Sequence, residues 1–552
     1  MFIRVKSSSN GVHRKVQLVE SIRQGNKVHQ KIVRHIGTAT DDLELEHLTR
    51  LAEYSKAKIE EERVPRLFAP EELAELTLIQ RNKPLEKSSS VHVEDLYEES
   101  RHVIGIHDVY GQVWKELGFD RILTNPARHR LECNYLRHLT MARIAIPSSK
   151  RKAVELLDHN FGVSLNLDKV YRLMDKIDEE SVKRLQSLSL EGAKQTLSLF
   201  KQEIDVLFYD ATTLYFESFT EDDLKQNGYS KDLKFNQPQV LLSLFVTTEG
   251  LPIGYEVFPG STYEGHTLLK MLDRLKERFH LRKVVFVADS GLFNADNLTL
   301  LDEAGYEYIV GARLKNLTQL LQKQVTNHDL YQPLSDGVKT QTIQLTSKKR
   351  LIVSHREKRA HKDKQDRIKA VEKLRKKLSK SKNPESLISN YGYKKYLKIE
   401  GQSTVVLNEE KLKCNQKWDG LHGVITNAED IDASEILNHY RGLWQIEETF
   451  RLAKSDLKIR PIFHWTPDRI RAHIAMCYMA LCCVRTLEYR VKRQHEKLSP
   501  EVIRENLLSV QASLLIHKPT GKKYLMPSST KEHASTLYKT MGLKLSTQPI
   551  LL

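Results

Sequence analysis

The sequence predicts a mixed α/β protein of several domains, and three observations lead to this prediction. The chain has 552 residues, several times the ~100 to 200 residues of a typical domain. Between residues 204 and 310, β-rich runs alternate with helical stretches. Residues 105–200 instead have the pattern of short amphipathic helices. We therefore expect a helical region followed by a mixed core.

Composition narrows the class of protein. The 87 Lys and Arg against 71 Asp and Glu give a net charge of +16, which favours a polyanionic partner but is also found in ribosomal and membrane-surface proteins. The five cysteines form no CxxC pair, which argues against a disulfide framework or a zinc ribbon. The N-terminus has no signal-peptide pattern. The apolar run 474–484 is shorter than the ~20 residues of a membrane span, so we expect a buried helix in a cytoplasmic protein.

Residues 1–87 are predicted to form a small basic β-hairpin module with helices after it, ending in a linker at residues 84–90. Gly25 and Asn26 supply a turn between two strand-like runs. Residues 1–37 contain eight Lys and Arg and one acid, Glu20. One face of this module could contact phosphates, and a solvated strand face is the alternative.

Residues 91–200 are predicted to be a helical, DNA-binding region. The segment SKRKAVELLDHNFGVSLNLDKVYRLMDKI gives a helix, a turn at residues 160–162 and a second helix from near Asn166. This pattern resembles a helix-turn-helix. An ordinary helical hairpin would have the same pattern, so DNA recognition by this pair remains a hypothesis.

Residues 201–313 are predicted to be the first part of the core. The runs DVLFYD, QVLLSLFVTT and PIGYEVF predict three strands. A helix at residues 267–279, the strand KVVFVAD, a helix at residues 294–304 and the strand YEYIV follow. Three strands, helix, strand, helix, strand is the element order of an RNase H-like core.

Residues 314–420 are predicted to interrupt this core as a β-rich insertion domain with a basic helical segment. Residues 356–382 hold 13 Lys and Arg against four acids. The apolar residues of this segment lie on one helical stripe: Ile368, Val371, Leu374 and Leu378. The opposite face would present cations to DNA, namely Lys373, Arg375, Lys376 and Lys377. A solvated face that contributes only solubility is the alternative. The core is predicted to resume at residues 421–492, and residues 493–552 to form a C-terminal helical tail.

Two aspartates are placed where metal ligands are often found. Asp210 ends the run DVLFYD and Asp289 ends the run KVVFVAD. Carboxylate oxygens at neighbouring strand ends suit Mg²⁺ or Mn²⁺. Each aspartate alone is more commonly a turn former or a helix cap, but the pair after two apolar strands indicates a metal site.

A third carboxylate is expected from a long helix at about residues 433–457. At ~100° per residue, five residues form an apolar stripe: Leu443, Ile446, Phe450, Ala453 and Leu457. A second stripe beside it holds Tyr440, Trp444, Glu447, Arg451 and Lys454. Glu448 is predicted to be rotated towards solvent, which makes Glu447 the better ligand candidate. An amphipathic helix with a Glu447–Arg451 pair is the alternative.

Three segments then resemble a known family. FYDATTLYFES, FVADSGLFNADNL and YRGLWQIEETFRLAK are similar to the catalytic segments of DDE-type transposases from bacterial insertion sequences. The similarity is to the branch with the signature YxxRxxxExxxxxxK and a β-rich insertion before the glutamate. Tyr440, Glu447 and Lys454 match this spacing, whereas Leu443 stands at the arginine position and Arg441 lies nearby as a substitute.

The resemblance implies a catalytic and metal-binding triad of Asp210, Asp289 and Glu447 with two Mg²⁺ or Mn²⁺ ions. Tyr440, Arg441 and Lys454 would then hold DNA phosphates. Trp444 would stack on an extruded base, although packing in the core is the alternative.

The implied partners are double-stranded DNA, as transposon terminal inverted repeats and as target DNA, and a second copy of the chain in a homodimeric synaptic complex. The implied activity is cut-and-paste transposition in a bacterial cytoplasm. A nuclease of the same fold without strand transfer and a silent, transposase-derived DNA-binding protein remain the alternatives. His266 and His464 are interpreted as structural or surface histidines.

Overall fold

A nine-stranded mixed sheet forms the centre of the computed structural model of this chain. The structure describes residues 1–7, 14–24, 27–63, 91–200, 204, 206–217, 220–228, 236–263, 267, 285–289, 291, 295–335, 337–380, 395–400 and 404–552. The order of the central sheet is β10-β11-β12-β15-β9-β8-β5-β6-β7. Its strands are β5 (Val206–Tyr215), β6 (Gln239–Thr247), β7 (Pro252–Pro259), β8 (Val285–Ala288), β9 (Glu307–Gly311), β10 (Gln332–Ser335), β11 (Val338–Gln344), β12 (Arg350–Arg356) and β15 (Leu421–Thr426).

The N-terminal module is a three-stranded antiparallel sheet with a helix packed against it. The predicted hairpin is present as β2 (Arg14–Gln24) and β3 (Lys27–Ala39), and β1 (Phe2–Ser7) adds a third strand that the prediction lacked. Helix α1 (Asp42–Arg63) follows. The turn at residues 25–26 and the predicted linker at residues 84–90 lie outside the described residues.

The region from residue 91 to residue 200 is mostly helical, as predicted, but begins with strand β4 (Leu96–Val103). Its helices are α2 (Gly111–Glu116), α3 (Arg130–Ala145), α4 (Lys150–Phe161), α5 (Leu167–Met174) and α6 (Glu179–Ser198). The two helices predicted on either side of the turn are present as α4 and α5. Gly162, at φ 63°, ends α4 in the left-handed conformation that favours glycine, and the Asn166 side chain caps α5.

The middle of the central sheet contains the strands predicted for the first core segment. β5, β6 and β7 are antiparallel neighbours, and β8 and β9 continue from β5 in parallel. Helix α7 (Ala295–Glu303) joins β8 to β9, as predicted. The helix predicted at residues 267–279 lies outside the described residues apart from residue 267.

The strands predicted to form a separate insertion domain instead extend this sheet. β12 pairs with β15, which pairs with β9, and its consecutive apolar residues Leu351, Ile352 and Val353 are buried on both faces of the sheet. Further from the sheet lie a two-stranded ribbon and three helices. These are β13 (Leu397–Glu400), β14 (Thr404–Leu407), α8 (Gln319–Val325), α9 (Glu357–Lys380) and α10 (Glu409–Gln416).

The predicted helix at residues 433–457 is divided into three pieces. They are α11 (Ala433–Arg441), α12 (Trp444–Arg451) and a π-helical turn, Leu452–Asp456. The apolar stripe predicted for this segment is buried in the main core.

Helix α13 (Pro467–Gln494) contains the apolar run 474–484 and is the longest helix described. It is long and apolar enough to span a membrane by length and composition, but 94% of its apolar window is buried inside the protein. It is a core helix, because its side chains pack against β7 and the helical region.

The C-terminal segment is not the helical tail that was predicted. It contains α14 (Pro500–Ser509), β16 (Gln511–His517), β17 (Lys523–Pro527), α15 (Ala534–Thr540) and β18 (Ile550–Leu551). β16 pairs with β4, some 400 residues earlier in the chain, in the four-stranded sheet β18-β17-β16-β4. The C-terminal segment therefore closes back onto the start of the helical region.

Candidate active site

The register of β5 and β8 brings the two predicted aspartates side by side. These strands are parallel, and Tyr209 is the partner of Ala288. The next residues, Asp210 and Asp289, therefore lie at the same level of the sheet. Alternate side chains of a strand point to opposite faces, so Asp210 shares the face of Phe208, and Asp289 shares the face of Val287.

That face is covered by the helices of the main core. Phe208 and Val287 belong to the same apolar cluster as Ile446 and Phe450 of α12. The two aspartates are therefore on the side of the sheet against which α12 packs. Tyr209 and Ala288 point the other way into a second cluster.

Asp210 does not end its strand, which is a correction to the sequence prediction. β5 continues to Tyr215 because ATTLY keeps pairing with β6. The Asp210 carboxylate accepts a hydrogen bond from the backbone N–H of Ala211 at 2.7 Å, and its side chain is half-buried in the middle of the strand. Asp289 follows the last residue of β8 and is exposed.

A glycine allows α12, the helix that carries Glu447, to lie close to β5. Gly442 separates α11 from α12, and a Cβ at this position would stand 2.6 Å from Cζ of Phe208. Any larger residue would push the helices away from the strand that carries Asp210. The break in the predicted helix thus sets the distance between the helices and the aspartates.

Tyr440, at the end of α11, connects the helices to Asp289. Its hydroxyl donates to the Asp289 carboxylate at 3.3 Å. Burial raises the pKa of Tyr440, and the charges of Asp289 and Glu447 raise it further. The phenol therefore stays protonated and remains a donor, and Glu447 is near enough to affect it.

Lys454 makes the second connection, from the π-helical turn to β5. Its Nζ donates to Oγ1 of Thr212 at 2.6 Å. Thr212 is two residues after Asp210, so both point to the same face of the sheet. Tyr440 thus contacts Asp289 itself, and Lys454 contacts the strand of Asp210 two residues further on. Glu447 lies between them in sequence and on the same predicted helical stripe.

The three carboxylates are carried by β5, by the residue after β8 and by α12, which packs on β5. Glu447 is exposed. Within the part of the chain that the structure describes, no three His, Cys, Asp or Glu side chains are grouped to hold a metal ion. The donor set is nevertheless all oxygen, which is the chemistry that Mg²⁺ and Mn²⁺ prefer.

The prediction that Glu448 points to solvent is wrong. Glu448 is the less exposed of the two glutamates, at 30%, and accepts hydrogen bonds from Arg451 at 3.0 and 2.5 Å. The Arg451 hydrogen bonds lower the pKa of the Glu448 carboxyl. Arg451 therefore pairs with Glu448, not with Glu447 as the alternative interpretation required.

Two models of known protein families match this chain. The family model described as Transposase DDE domain matches residues 201–483. The model described as IS1634 family transposase, N-terminal domain, matches residues 3–67. The chain belongs to the DDE transposases of insertion sequences.

Solved structures give weaker similarities to this transposase. A piggyBac transposase synaptic complex with hairpin DNA is 9% identical, with a TM-score of 0.34, over 79% of this chain and 75% of that chain. A Mos1 transposase paired-end complex is 13% identical, with a TM-score of 0.15, over 29% of this chain and 53% of that chain. At these scores neither carries an argument here. No curated protein matches.

The other predicted site residues of α11 and α12 differ from one another in exposure and in contacts. Trp444 is 51% exposed, so the predicted alternative of core packing does not hold. Arg441 donates to the side chain of Asn438 at 3.1 Å. Leu443, at the family's arginine position, is buried in the main core, where an arginine would lack a partner.

The basic helix α9 docks largely on the predicted stripe. Leu374 is buried, Val371 and Leu378 are half-buried, and Ile368 alone of the four is exposed. Polar contacts replace the missing apolar ones: Arg367 donates to both oxygens of Asp419 at 2.5 and 2.6 Å. All four predicted DNA contacts are exposed and lie away from the aspartate pair along the helix: Lys373, Arg375, Lys376 and Lys377.

One contact near the aspartates could not be predicted from sequence patterns. Thr212 accepts a hydrogen bond from Lys454, yet a threonine in a strand carries no signal of such a role. His464 is half-buried beside a cavity, and burial lowers its pKa to about 4, so it is neutral. His266 lies outside the described residues.

Proposed function

We propose that this transposase cuts DNA at the ends of its insertion sequence and joins the freed ends to target DNA, using Asp210, Asp289 and Glu447 as a divalent-metal site. The site would lie in an RNase H-like core formed by β5 to β9, into which the segment from β10 to β14 is inserted. Antiparallel β7-β6-β5 followed by parallel β8 and β9 supports this core.

One observation carries the proposal. The parallel register that pairs Tyr209 with Ala288 sets two carboxylates next to each other on the face that α12 covers. Tyr440 and Lys454 match the family signature on either side of Glu447, and they hydrogen-bond to Asp289 and to Thr212, two residues after Asp210. Four side chains from four separate segments thus converge on one region.

The chemistry follows from the donor set. Two divalent ions bound by carboxylates would activate the attacking oxygen and stabilise the leaving oxygen in an in-line displacement at phosphorus. Asp210 and Asp289 would hold them in common, and the exposed Glu447 side chain would turn towards the aspartates to complete the site. Tyr440 keeps Asp289 oriented by its hydrogen bond.

The cations around the site suit a DNA substrate. Lys454 and Arg441 lie on either side of Glu447 and would contact phosphates next to the one that is cut. A water molecule as nucleophile would nick the DNA, and the resulting 3′-hydroxyl would attack the target strand at the same carboxylates. Synapsis of two ends would require at least two copies of the chain.

A strand-transfer assay tests the proposal. Purified transposase is incubated with DNA carrying the flanking repeats of its own gene and with a plasmid target, in Mg²⁺, in Mn²⁺ and in chelator. We expect nicked ends and joined products with either metal and neither product in chelator. Asp210→Asn and Asp289→Asn should lose both products.

Two outcomes would contradict the proposal. Nicking without joined products would make the protein a nuclease, and binding without any cleavage in the wild type would make it a silent DNA-binding protein. Circular dichroism of both variants shows whether lost activity reflects lost folding.

A further inference from the structure

A basic cavity lies between the helix–turn–helix and the loop that follows the catalytic helices. It has a volume of about 600 Å³, a size typical of sites for small ligands. Five cations line it: Arg143, Lys150, Arg151, Lys152 and Lys458. None of the described residues that line it is acidic. The cavity therefore has a strong preference for an anion.

Two of these cations are buried in the wall. Lys150 is 5% exposed and Arg143 is 7% exposed. Arg143 donates to the backbone carbonyls of Leu457 and Lys458 at 3.5 and 3.3 Å. These bonds satisfy hydrogen-bonding groups but do not neutralise the charge. Buried cations are costly unless they are paired with an anion.

Lys150 is held in place by a neutral histidine. The His473 ring lies 3.0 Å from the carbonyl of Ile459 through Nε2 and 3.1 Å from Lys150 Nζ through Nδ1. Burial keeps the pKa of His473 well below its usual value. The neutral ring therefore donates from Nε2 and accepts from Lys150, an ammonium with three donors. Within the described residues, Lys150 makes no ion pair, so it retains donors for a ligand.

The electrostatic surroundings of Lys150 also favour a bound anion. Burial, with the neighbouring charge of Arg143, lowers the pKa of Lys150 to about 7. An anion in the cavity would favour the charged ammonium and reverse this shift. Lys152, by contrast, is exposed and already paired with Glu155 at 2.9 Å.

The rim of the cavity is aromatic. Phe463 is 60% exposed, and Tyr171 and His464 also line the cavity, with their rings 6.4 Å apart. Exposed aromatic rings beside cations are typical of sites that bind nucleotides by stacking and by charge. The cavity thus combines an anion-binding wall with faces for a base.

The loop that lines the cavity follows shortly after the residue that contacts β5 near Asp210. The segment from Lys454, which contacts Thr212 of β5, leads through Lys458 at the cavity to Arg460, whose guanidinium lies 4.7 Å above the ring of Tyr215. Tyr215 is at the far end of β5 from Asp210, ~17 Å away at the usual rise of a strand.

We infer that this cavity binds one nucleotide of a DNA strand that also reaches the candidate active site, with the phosphate between Lys150 and Arg143 and the base against Phe463. The inference rests on the proposed function for its substrate, DNA, and would add a contact that positions the strand. Because phosphate carries no base identity, the contact would be independent of sequence.

The test measures DNA affinity of the full chain without divalent metal, over a series of salt concentrations, with a DNA duplex of arbitrary sequence. Lys150→Met should weaken binding about tenfold and reduce the slope of log affinity against log salt by about 0.9. The matched control is Lys183→Met, since Lys183 is on α6 and already pairs with Glu179 at 3.6 Å. It should change neither quantity.

A second variant and a second probe guard against misfolding. Lys458→Asn removes a cation from the cavity rim at a position with φ of 46°, which asparagine tolerates well; it should weaken binding a few-fold. By calorimetry, thymidine 5′-monophosphate should bind the wild type and not Lys150→Met, and thymidine should bind neither.

The outcomes separate this inference from the proposed function. Unchanged affinity and salt slope in both variants would overturn the cavity assignment while leaving nicking and joining untouched. Weakened binding in the variants would support it even if the wild type failed to cut DNA, because the binding assay contains no metal.

Discussion

The aspartate sheet and helix α9 use charge in opposite ways. At the sheet, two carboxylates are fixed by buried strands in register, and a glycine lets a helix approach within contact distance. Helix α9 carries 11 Lys and Arg, and buried Leu374 and the ion pair of Arg367 with Asp419 anchor it. Charges at the sheet are few and individually placed, whereas those on α9 are many and interchangeable.

The two regions therefore differ in how strongly a single substitution should affect DNA cleavage or binding. A ligand positioned by the backbone of a buried strand has no neighbour that can replace it. A cation on an exposed helix shares its role with others within a Debye length. Substitutions in the two regions can test this contrast.

The largest effect is expected at two neighbouring glutamates of α12. Glu447→Gln should reduce metal-dependent cleavage by at least ~10³-fold, equivalent to ~4 kcal/mol of lost transition-state stabilisation. Glu448→Gln should be mild, because Glu448 is bound by Arg451. Cleavage rates at saturating DNA measure both. A dead Glu448→Gln with an active Glu447→Gln would show that the wrong glutamate has been assigned.

A smaller effect is expected when four cations of α9 are removed together. Replacing Lys373, Arg375, Lys376 and Lys377 with Gln should flatten the salt slope by roughly two to four units, at ~0.9 per lost phosphate contact. Specific and non-specific DNA should be weakened alike. Fluorescence anisotropy over a salt series measures the slope. An unchanged slope with normal cleavage would assign α9 to solubility and weaken the contrast.

Trp444 resembles the cations of α9 in being exposed, but it lies on α12 about one helical turn before Glu447. Trp444→Ala should slow the step after first-strand nicking by about 5- to 150-fold, from the ~1 to 3 kcal/mol of base stacking. Nicking itself should change little. Separate rates for the two steps on labelled DNA provide the measurement. Equal slowing of both steps with lower thermal stability would indicate a packing role.

The smallest effect is expected at the anchor of α9. Asp419→Asn should lower stability by ~1 to 2 kcal/mol, because it leaves Arg367, with 14% of its side chain exposed, without its carboxylate. Asp366→Asn, on the exposed side of the same helix, is the control. Urea unfolding followed by circular dichroism measures both. Equal stability of the two variants would mean that apolar contacts alone hold α9.

The sequence alone determined most of the local structure of this protein. The strands at β5 and β8, the helix–turn–helix at α4 and α5 and the apolar stripe through Ile446 and Phe450 follow from residue periodicity, which burial on one side imposes. The family also follows from sequence, because its signature residues stand at fixed spacings along the chain. The individual site residues remain predictions.

Tertiary structure alone decided how these elements meet. Whether Glu448 faces solvent depends on its pairing with Arg451 and on the charge of Arg485, which α13 brings near it. The extension of the sheet by β12 and the pairing of β16 with β4 join segments distant in the chain. Lys150 and Arg143 become a cavity wall only when loop 458–464 packs beside them. Long-range contacts of this kind depend on which surfaces are left to bury, and no local pattern records that.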